Sequence, residues 1–594
     1  MLDILTPFVL LDDARPGIES TKLFQAPVIQ IKACAPSEVP VALQSAQSAL
    51  DSGRYVAGYF SYELGYLLET RLASLLWRKL SLPLLWLGVF EAPESVNSHS
   101  VGDDARRRAH AGPLVFEWTE PAYAKRFDRL HARIAAGDLY QANLTMRARF
   151  AFAGNALAFY RDLKTQSRSG HCAFVADGER HILSLSPELF FEMSPDGTIR
   201  TRPMKGTAAR GDTASADALA RARLMASEKD RAENLMIVDL LRNDLSRIAE
   251  TGSVTVGNLF EVETYPTLHQ LVSTVGARRR ADTNVTALIH ALFPCGSVTG
   301  APKIQAMEAI RELETSPRGV YCGAIGFFAP DGSASFNVAI RTVTISGQRG
   351  ELGVGGGIVY DSVGAREYDE CVLKARYFEA ARIPLQLIET LRWTRDEGFV
   401  RGERHLARLA RSAAAFGIAC DEARLRRLMR EEVAGKSAPL RVRITLGDEG
   451  QDAVTSTPLD PTADRWTFRI SPDRVQSRDE LLRHKTSRRE TFDGEYARAL
   501  NRGLDEVVFV NERGELTEGS RTNIFVELHD RMLTPAVSSG LLEGCLRAEL
   551  IEQGQCVEAV LTPGDLSRAR AVFLGNSLRG LVPAVVVDRD WDRT

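Results

Sequence analysis

The chain has 594 residues, well above the roughly 250–300 that one hydrophobic core supports, so two major modules are expected. Its 74 basic and 77 acidic residues leave a formal net charge of -3, which excludes nucleic-acid binding by bulk electrostatics, and its 44% hydrophobic content supplies ample core material. Eight scattered cysteines without a Cys-x-x-Cys pair exclude a secreted disulfide scaffold and argue against a zinc or redox motif.

No apolar run approaches the ~20 residues of a membrane span. The N-terminus sets Asp3, Asp12 and Asp13 around a short apolar stretch broken by Pro7, a poor signal peptide. A soluble, reducing, cytoplasmic enzyme is expected. The basic runs Arg106-Arg107-Arg108 and Arg278-Arg279-Arg280 read as solvated loops.

Residues 1–115 mix short apolar runs with turns and read as a sheet-rich lobe, with Tyr55 to Tyr66 as strands. The polar stretch 94–113 reads as an exposed loop. From Pro121, Tyr123, Phe127, Leu130 and Ile134 recur at helical steps until Gly137-Asp138, and Leu139 to Phe152 alternates like a strand. Residues 215–247 predict two helices, the second opened by Glu233. Gly323 to Phe328, Ser335 to Ile345 and Glu351 to Tyr360 predict strands, and one helix is expected from Ala365 to Ala381. Pro384 is a natural stop, so the modules are placed at 1–383 and 384–594. A strand over Leu385 to Trp393, a turn at Asp396-Glu397-Gly398 and a helix over Arg404 to Phe416 follow. Asp505 to Val526 reads as a hairpin about Asn511-Glu512-Arg513-Gly514.

Four segments carry chemistry in the first module. Lys205 sits in Arg202-Pro203-Met204-Lys205-Gly206-Thr207, where burial against the turn would make its amine a nucleophile or base. Glu233 lies in the apolar helix ENLMIVDLLRND, and a carboxylate on a largely buried helix needs a partner. GSVTGAPK runs from Gly296 to Lys303. In GVGGGIVYDSVGAREYDECVLK, Gly353 to Lys374, the glycines allow close backbone approach to a ligand, and Glu367, Glu370 and Lys374 share one helix face.

This ordered set resembles the chorismate-utilising enzymes, and its Lys-Gly-Thr version resembles the aminodeoxychorismate synthase component I branch, where anthranilate synthases carry a small residue instead of lysine. The resemblance implies an α+β fold: a two-lobed antiparallel sheet core with outer helices. It implies Mg²⁺ on Glu233 and Glu370 with Glu367 close by, Lys205 as nucleophile and Glu188 of Ser186-Pro187-Glu188 as general acid. It further implies that Gly206, Thr207, Thr299, Tyr321, Arg341, Gly355, Gly356 and Lys374 bind chorismate, Tyr321 and Arg341 gripping its pyruvyl carboxylate. One departure is that His269-Gln270 precedes Leu-Val-Ser, where the family has histidine immediately before it. No glutaminase motif is present, so a separate glutamine amidotransferase subunit or free ammonia is implied as nitrogen donor.

In the second module Lys485, followed by Glu518-Gly519-Ser520-x-x-Asn523, resembles fold-type IV pyridoxal phosphate enzymes, the module related to D-amino acid aminotransferase. The resemblance implies that Lys485 carries pyridoxal 5'-phosphate, with Glu518 on the ring nitrogen. Arg408, the turn at Cys545 and Leu546, and the loop at Asn576 and Ser577 would hold the phosphate, with Ser520 and Asn523 nearby. Leu546 stands where the family often has threonine, and the strands usual before Glu389-Thr390 are largely missing. The fusion favours 4-aminobenzoate synthesis by consecutive amination and lyase steps, with homodimerisation through the second module. Two alternatives stay open: an anthranilate synthase component I fused to an aminotransferase, and a regulator with degenerate sites, its pocket near Leu10-Leu11-Asp12-Asp13.

Overall fold

The computed structural model describes residues 4, 6–15, 21–96, 109–264, 268–448 and 450–587. The chain divides into two compact units, one of Met1–Asp104, Leu114–Phe150 and Ala156–Ala381, the other of Ala105–Pro113, Ala151–Asn155 and Arg382–Thr594.

The first unit is built on two large antiparallel sheets. One runs Gly300–Ala301, Gln141–Gly154, Arg349–Ile358, Thr342–Ser346, His181–Ser186, His171–Ala176, Phe8–Asp12, Thr21–Gln25 and Glu94–Val96 along its main path. The other has Ala324–Phe328 at its middle, between Ala334–Val338 and Tyr55–Phe60. Phe60, Phe191, Phe293, Phe328 and Phe336 form its aromatic core, each such side chain contributing roughly 1.5–3 kcal/mol on burial. A three-stranded sheet, Met204–Ala209, Leu268–Val272 and Glu261–Thr264, stands apart. Helix Glu228–Ser246 packs on Met204–Ala209, and its first turn is capped by the Ser227 hydroxyl, which accepts the Asp230 N–H at 3.2 Å.

Several elements differ from the sequence expectation. Tyr55–Phe60 is a strand, but Tyr62–Leu64 and Gly65–Leu68 are helical, because the aromatics there pack on one side of a turn rather than alternating across a sheet. Ser335 to Ile345 is not one strand: Ala334–Val338 and Thr342–Ser346 lie in different sheets, and Arg341 between them has φ of 49°. Glu233 does not open its helix, which starts a turn earlier at Glu228. The helix after Val363 breaks at Ala375 into Gly364–Lys374 and Arg376–Ala381. Within 94–113, Glu94–Val96 is a strand and Ala109–Ala111 is a buried one paired with residues 152–154, while Arg106-Arg107-Arg108 lies outside the described residues.

The second unit has a sheet of Gly398–Phe399, Gln386–Thr394, Leu440–Gly447 and Asp452–Pro458. A second, eight-stranded mixed sheet closes on itself where Glu518 pairs with Asn523. The region read as one hairpin supplies three of its strands, Glu506–Asn511, Leu516–Gly519 and Asn523–Leu528. Among the described residues, no helix is long and apolar enough to cross a membrane.

Candidate active site

In the first unit, strand Met204–Ala209 is irregular where the chemistry was expected. Its pairing with Leu268–Val272 shifts register between Met204 and Thr207, a bulge that re-aims Lys205. Gly206 makes the bulge possible: its φ is 85°, and a Cβ there would lie 2.9 Å from the Asp230 Cβ. The Lys205 amine arrives over Gly357, where an added Cβ would meet Lys205 Nζ at 3.2 Å, Gln141 Nε2 at 2.7 Å and Asn143 Oδ1 at 2.9 Å. Burial lowers the proton affinity of Lys205, and Lys374 adds to this, whereas Glu233, Glu188 and Glu370 oppose it.

Glu188 is buried at 5% exposure, and burial pushes its carboxyl up to about 7 against a hydrogen bond from Ser297 and the charge of Lys205. Its Oε1 has no hydrogen-bond partner among the described residues. On the other side of Gly356, a Cβ would lie 3.3 Å from Glu367 Oε2, 3.6 Å from Glu370 Oε1 and 3.8 Å from Lys374 Nζ. Lys374 donates to Glu370 at 2.6 Å and to the Gly355 carbonyl at 2.9 Å. Burial raises Glu233 and Glu367, while Lys374 holds Glu370 down against its own burial.

The remaining residues are less uniform. Thr207 donates to Gln270 Oε1 at 3.0 Å, directly across the strand pair. His269 lies on the opposite face, its ring nitrogens held by Asp217 at 2.9 Å and Thr264 at 3.0 Å. The Thr299 hydroxyl is turned to its own loop, 3.2 Å from the Cys295 and Gly296 carbonyls. Tyr321 is buried, with the Arg147 guanidinium 5.2 Å from its ring centre. The Cys322 N–H donates to the Ala339 carbonyl, which holds the Tyr321 segment beside the one leading to Arg341. Near the N-terminus, Asp12 is already held by Thr21 and Lys164, and Asp13 by Arg15. Ser297, Gln141 and Asn143 were not named as site residues from sequence, and Gln270 was noted only as a departure from the family pattern. For Gln141 and Asn143 the available signal was the alternation of polar side chains, continued by Thr145, Arg147 and Arg149, with apolar ones along one strand.

In the second unit, a cleft of about 540 Å³ contains Lys485, Arg408, Glu518, Asn523, Cys545 and Ser577 in its walls. Burial lowers Lys485 to about 8; Arg408 and Arg489 add to the shift and Glu389 opposes it. Arg408 forks onto both oxygens of Glu389, at 2.9 and 2.6 Å, and donates to the Glu543 carbonyl at 2.9 Å. His405 Nδ1 lies 2.6 Å from the same carboxylate. Glu389, His405 and Cys545 are the one cluster of metal-ligand types gathered within 4.8 Å among the described residues. Arg408 already neutralises Glu389, so this trio is a buried ion network and not a metal centre.

Glu518 accepts the Leu542 N–H at 3.0 Å, and burial pushes it up to about 8. Ser577 Oγ is buried without a partner among the described residues. Asn576 Oδ1 accepts the Leu578 and Arg579 N–H groups at 3.0 and 2.9 Å and so shapes that loop. Gly544 permits helix Cys545–Glu552 to begin beside Asn523, since a Cβ on it would lie 2.0 Å from Asn523 Oδ1. Two residues named from sequence offer the cleft less than their side chains: Leu546 packs with Phe525, Leu550 and Cys556, and the Ser520 hydroxyl is given to Glu506.

The chain resembles known proteins along both units. It belongs to the chorismate binding enzymes, a family that matches residues 7–380, and amino-transferase class IV matches residues 386–587. Among similar proteins, aminodeoxychorismate synthase of Streptomyces griseus is 46% identical over 264 residues, which cover 44% of this chain and 36% of that protein. Aminodeoxychorismate synthase component 1 of Klebsiella aerogenes is 39% identical over 334 residues, covering 53% of this chain and 74% of that one. The chain thus spans about a third of the Streptomyces relative's length. Anthranilate synthase component I from Streptococcus pneumoniae superimposes with a TM-score of 0.53 at 26% identity, over 62% of this chain and 93% of that chain.

Proposed function

We propose that the chain makes 4-aminobenzoate, a folate precursor, from chorismate in two covalent steps. The observation that carries this is the Lys205 amine, re-aimed by the bulge at Gly206 into a pocket walled by Glu188, Glu233 and Glu370. Lys205 Nζ forms a bond to C2 of the ring as the two ring double bonds shift and the C4–O bond breaks. Glu188, whose carboxyl near pH 7 still holds a proton, gives it to the departing hydroxyl, which leaves as water. Ammonia then bonds to C4, the double bonds shift back and the C2–N bond breaks, which frees Lys205. The net change is C4 hydroxyl for amine. A glutamine amidotransferase partner is the proposed ammonia source, in keeping with the name "component 1" of the Klebsiella relative.

Glu233, Glu370 and Glu367 offer only oxygen donors, and burial makes Glu233 and Glu367 weaker acids that a cation would relieve, chemistry that fits Mg²⁺ although their oxygens are not all gathered within 4.8 Å. Mg²⁺ there would neutralise these carboxylates and hold the ring carboxylate. In the second unit the uncommitted Ser577 hydroxyl, Arg408 and the first turn of helix Cys545–Glu552 fit a phosphate, and Glu518 fits a protonated ring nitrogen, so pyridoxal 5'-phosphate suits the cleft. When bound on Lys485 it would supply an electron sink for the amine carbon. Lys485, with a proton affinity near neutrality, takes the C4 proton and returns it as the C3–O bond breaks and pyruvate departs. Aromatisation drives the elimination. A cytoplasmic setting and a dimer through the second unit complete the reading.

The test is chorismate consumption by the purified chain with ammonium and Mg²⁺, repeated with chelator and with Glu233→Gln. Consumption that stops in both controls supports the reading. Consumption that is unaffected by chelator removes the metal, and no consumption at all removes the first step.

A further inference from the structure

The cleft of the second unit holds a second cationic group besides the one around Lys485 and Arg408. Arg441 and Arg443 alternate with the core residues Leu440, Val442 and Ile444 along strand Leu440–Gly447, so both project from its cleft side. Arg521 lies 4.1 Å from the centre of the Tyr496 ring, and Arg579 is tied to the Asp460 carbonyl and the Thr462 hydroxyl; both also line the cleft. Among the described residues, none of Arg441, Arg443, Arg521 and Arg579 makes an ion pair with a carboxylate.

The acids that share the cleft are committed elsewhere. Asp493 faces Arg489 at 3.7 Å, Asp505 accepts from Thr467, and Glu506 accepts from the Ser520 and Thr522 hydroxyls and two backbone N–H groups. Burial, then Arg521, Arg443 and Arg579, lower the proton affinity of Arg441, and Asp460 opposes them. Guanidinium groups that line one cleft repel one another, and an anion among them relieves that repulsion.

We propose that Arg441, Arg443, Arg521 and Arg579 form a dicarboxylate-binding subsite that selects the amine substrate of the second unit. The proposal rests on the reading that this unit acts on aminodeoxychorismate, which carries a ring carboxylate and an enolpyruvyl carboxylate. An arginine–carboxylate contact is directional and often bidentate, so this subsite sets the ring with its C4–H toward Lys485 and discriminates against amines with one carboxylate.

Pyruvate release from aminodeoxychorismate by the full chain loaded with cofactor tests this. Arg441→Gln/Arg443→Gln raises KM at least about tenfold with kcat little changed and cofactor absorbance retained. Arg441→Lys/Arg443→Lys recovers part of the loss, because charge returns without the guanidinium fork. Calorimetric titration with isophthalate, an unreactive ring dicarboxylate, shows a binding component that the glutamine variant lacks. An unchanged KM, a fall in kcat alone, a lysine variant as poor as the glutamine one, or unaltered isophthalate binding would overturn the subsite while leaving the lyase reading intact. A chain that keeps its cofactor but releases no pyruvate would end the lyase reading, and the subsite with it.

Discussion

Lys205 and Lys485 lose proton affinity to the same cause, burial, yet the balance of charge around them differs. Around Lys205 the nearby groups are mostly carboxylates, Glu188, Glu233 and Glu370, which pull its proton affinity back up. Around Lys485 the two arginines Arg408 and Arg489 push it further down, against the pull of Glu389. A carboxylate-walled amine suits a site that takes a metal ion with an anionic ring. An arginine-walled amine suits one that takes a phosphate and an anionic substrate. The same side chain is thus prepared for two chemistries by what faces it.

Removing each amine in turn separates the two sites. Lys205→Ala lowers chorismate amination on the order of 10³-fold while the cofactor absorbance near Lys485 is kept. Lys485→Ala does the reverse: the absorbance of the lysine-bound cofactor disappears, amination continues and aminodeoxychorismate accumulates, as chromatography of the products will show. A variant that crossed these readouts would mean that the two sites do not divide the work.

Glu188→Gln costs about 10²-fold in amination, the usual contribution of a placed general acid. It also changes the pH dependence of stability. The folded carboxyl titrates at about 7 and the unfolded one at its ordinary 4.5, so folded Glu188 keeps a proton that the unfolded chain has lost. Stability therefore falls as pH rises between those values, by about 3 kcal/mol in total for this group, and the glutamine variant is free of that fall. Urea unfolding at pH 5 and pH 8 should show the variant gaining on the parent at the higher pH.

Leu546→Thr sharpens the second half. If a hydroxyl were missing from the phosphate turn, threonine would tighten cofactor binding. Because Leu546 packs against Phe525 and Leu550, the substitution instead lowers stability by about 2–3 kcal/mol through lost packing and a buried hydroxyl, with no gain in cofactor affinity by titration. The smallest effect is expected at His269, which faces Asp217 and not the pocket. His269→Gln costs about 1–2 kcal/mol in unfolding experiments and leaves the amination rate nearly unchanged.

What could be read from sequence follows the strength of local pattern. The helical spacing of Tyr123, Phe127, Leu130 and Ile134 and the alternation beyond Leu139 were sufficient because each element buries one face. Glu367, Glu370 and Lys374 were placed together by helical spacing alone, and they do converge around Gly356. The break at Arg341 was invisible, since apolar residues continue through it and the cause is a change of sheet. Ser297 against Glu188, and Glu389 against Arg408, join residues distant in the chain, and no local pattern encodes such pairs. The bulge at Lys205 lies between these cases: Gly206 hinted at a turn, but the re-aiming of the lysine depends on the partner strand.

The most direct measurement is product analysis after the chain, first stripped of cofactor, is incubated with chorismate, ammonium and magnesium, with and without added pyridoxal 5'-phosphate. The account predicts aminodeoxychorismate alone without the cofactor, and 4-aminobenzoate with an equal amount of pyruvate when it is present. Anthranilate in either tube would contradict it.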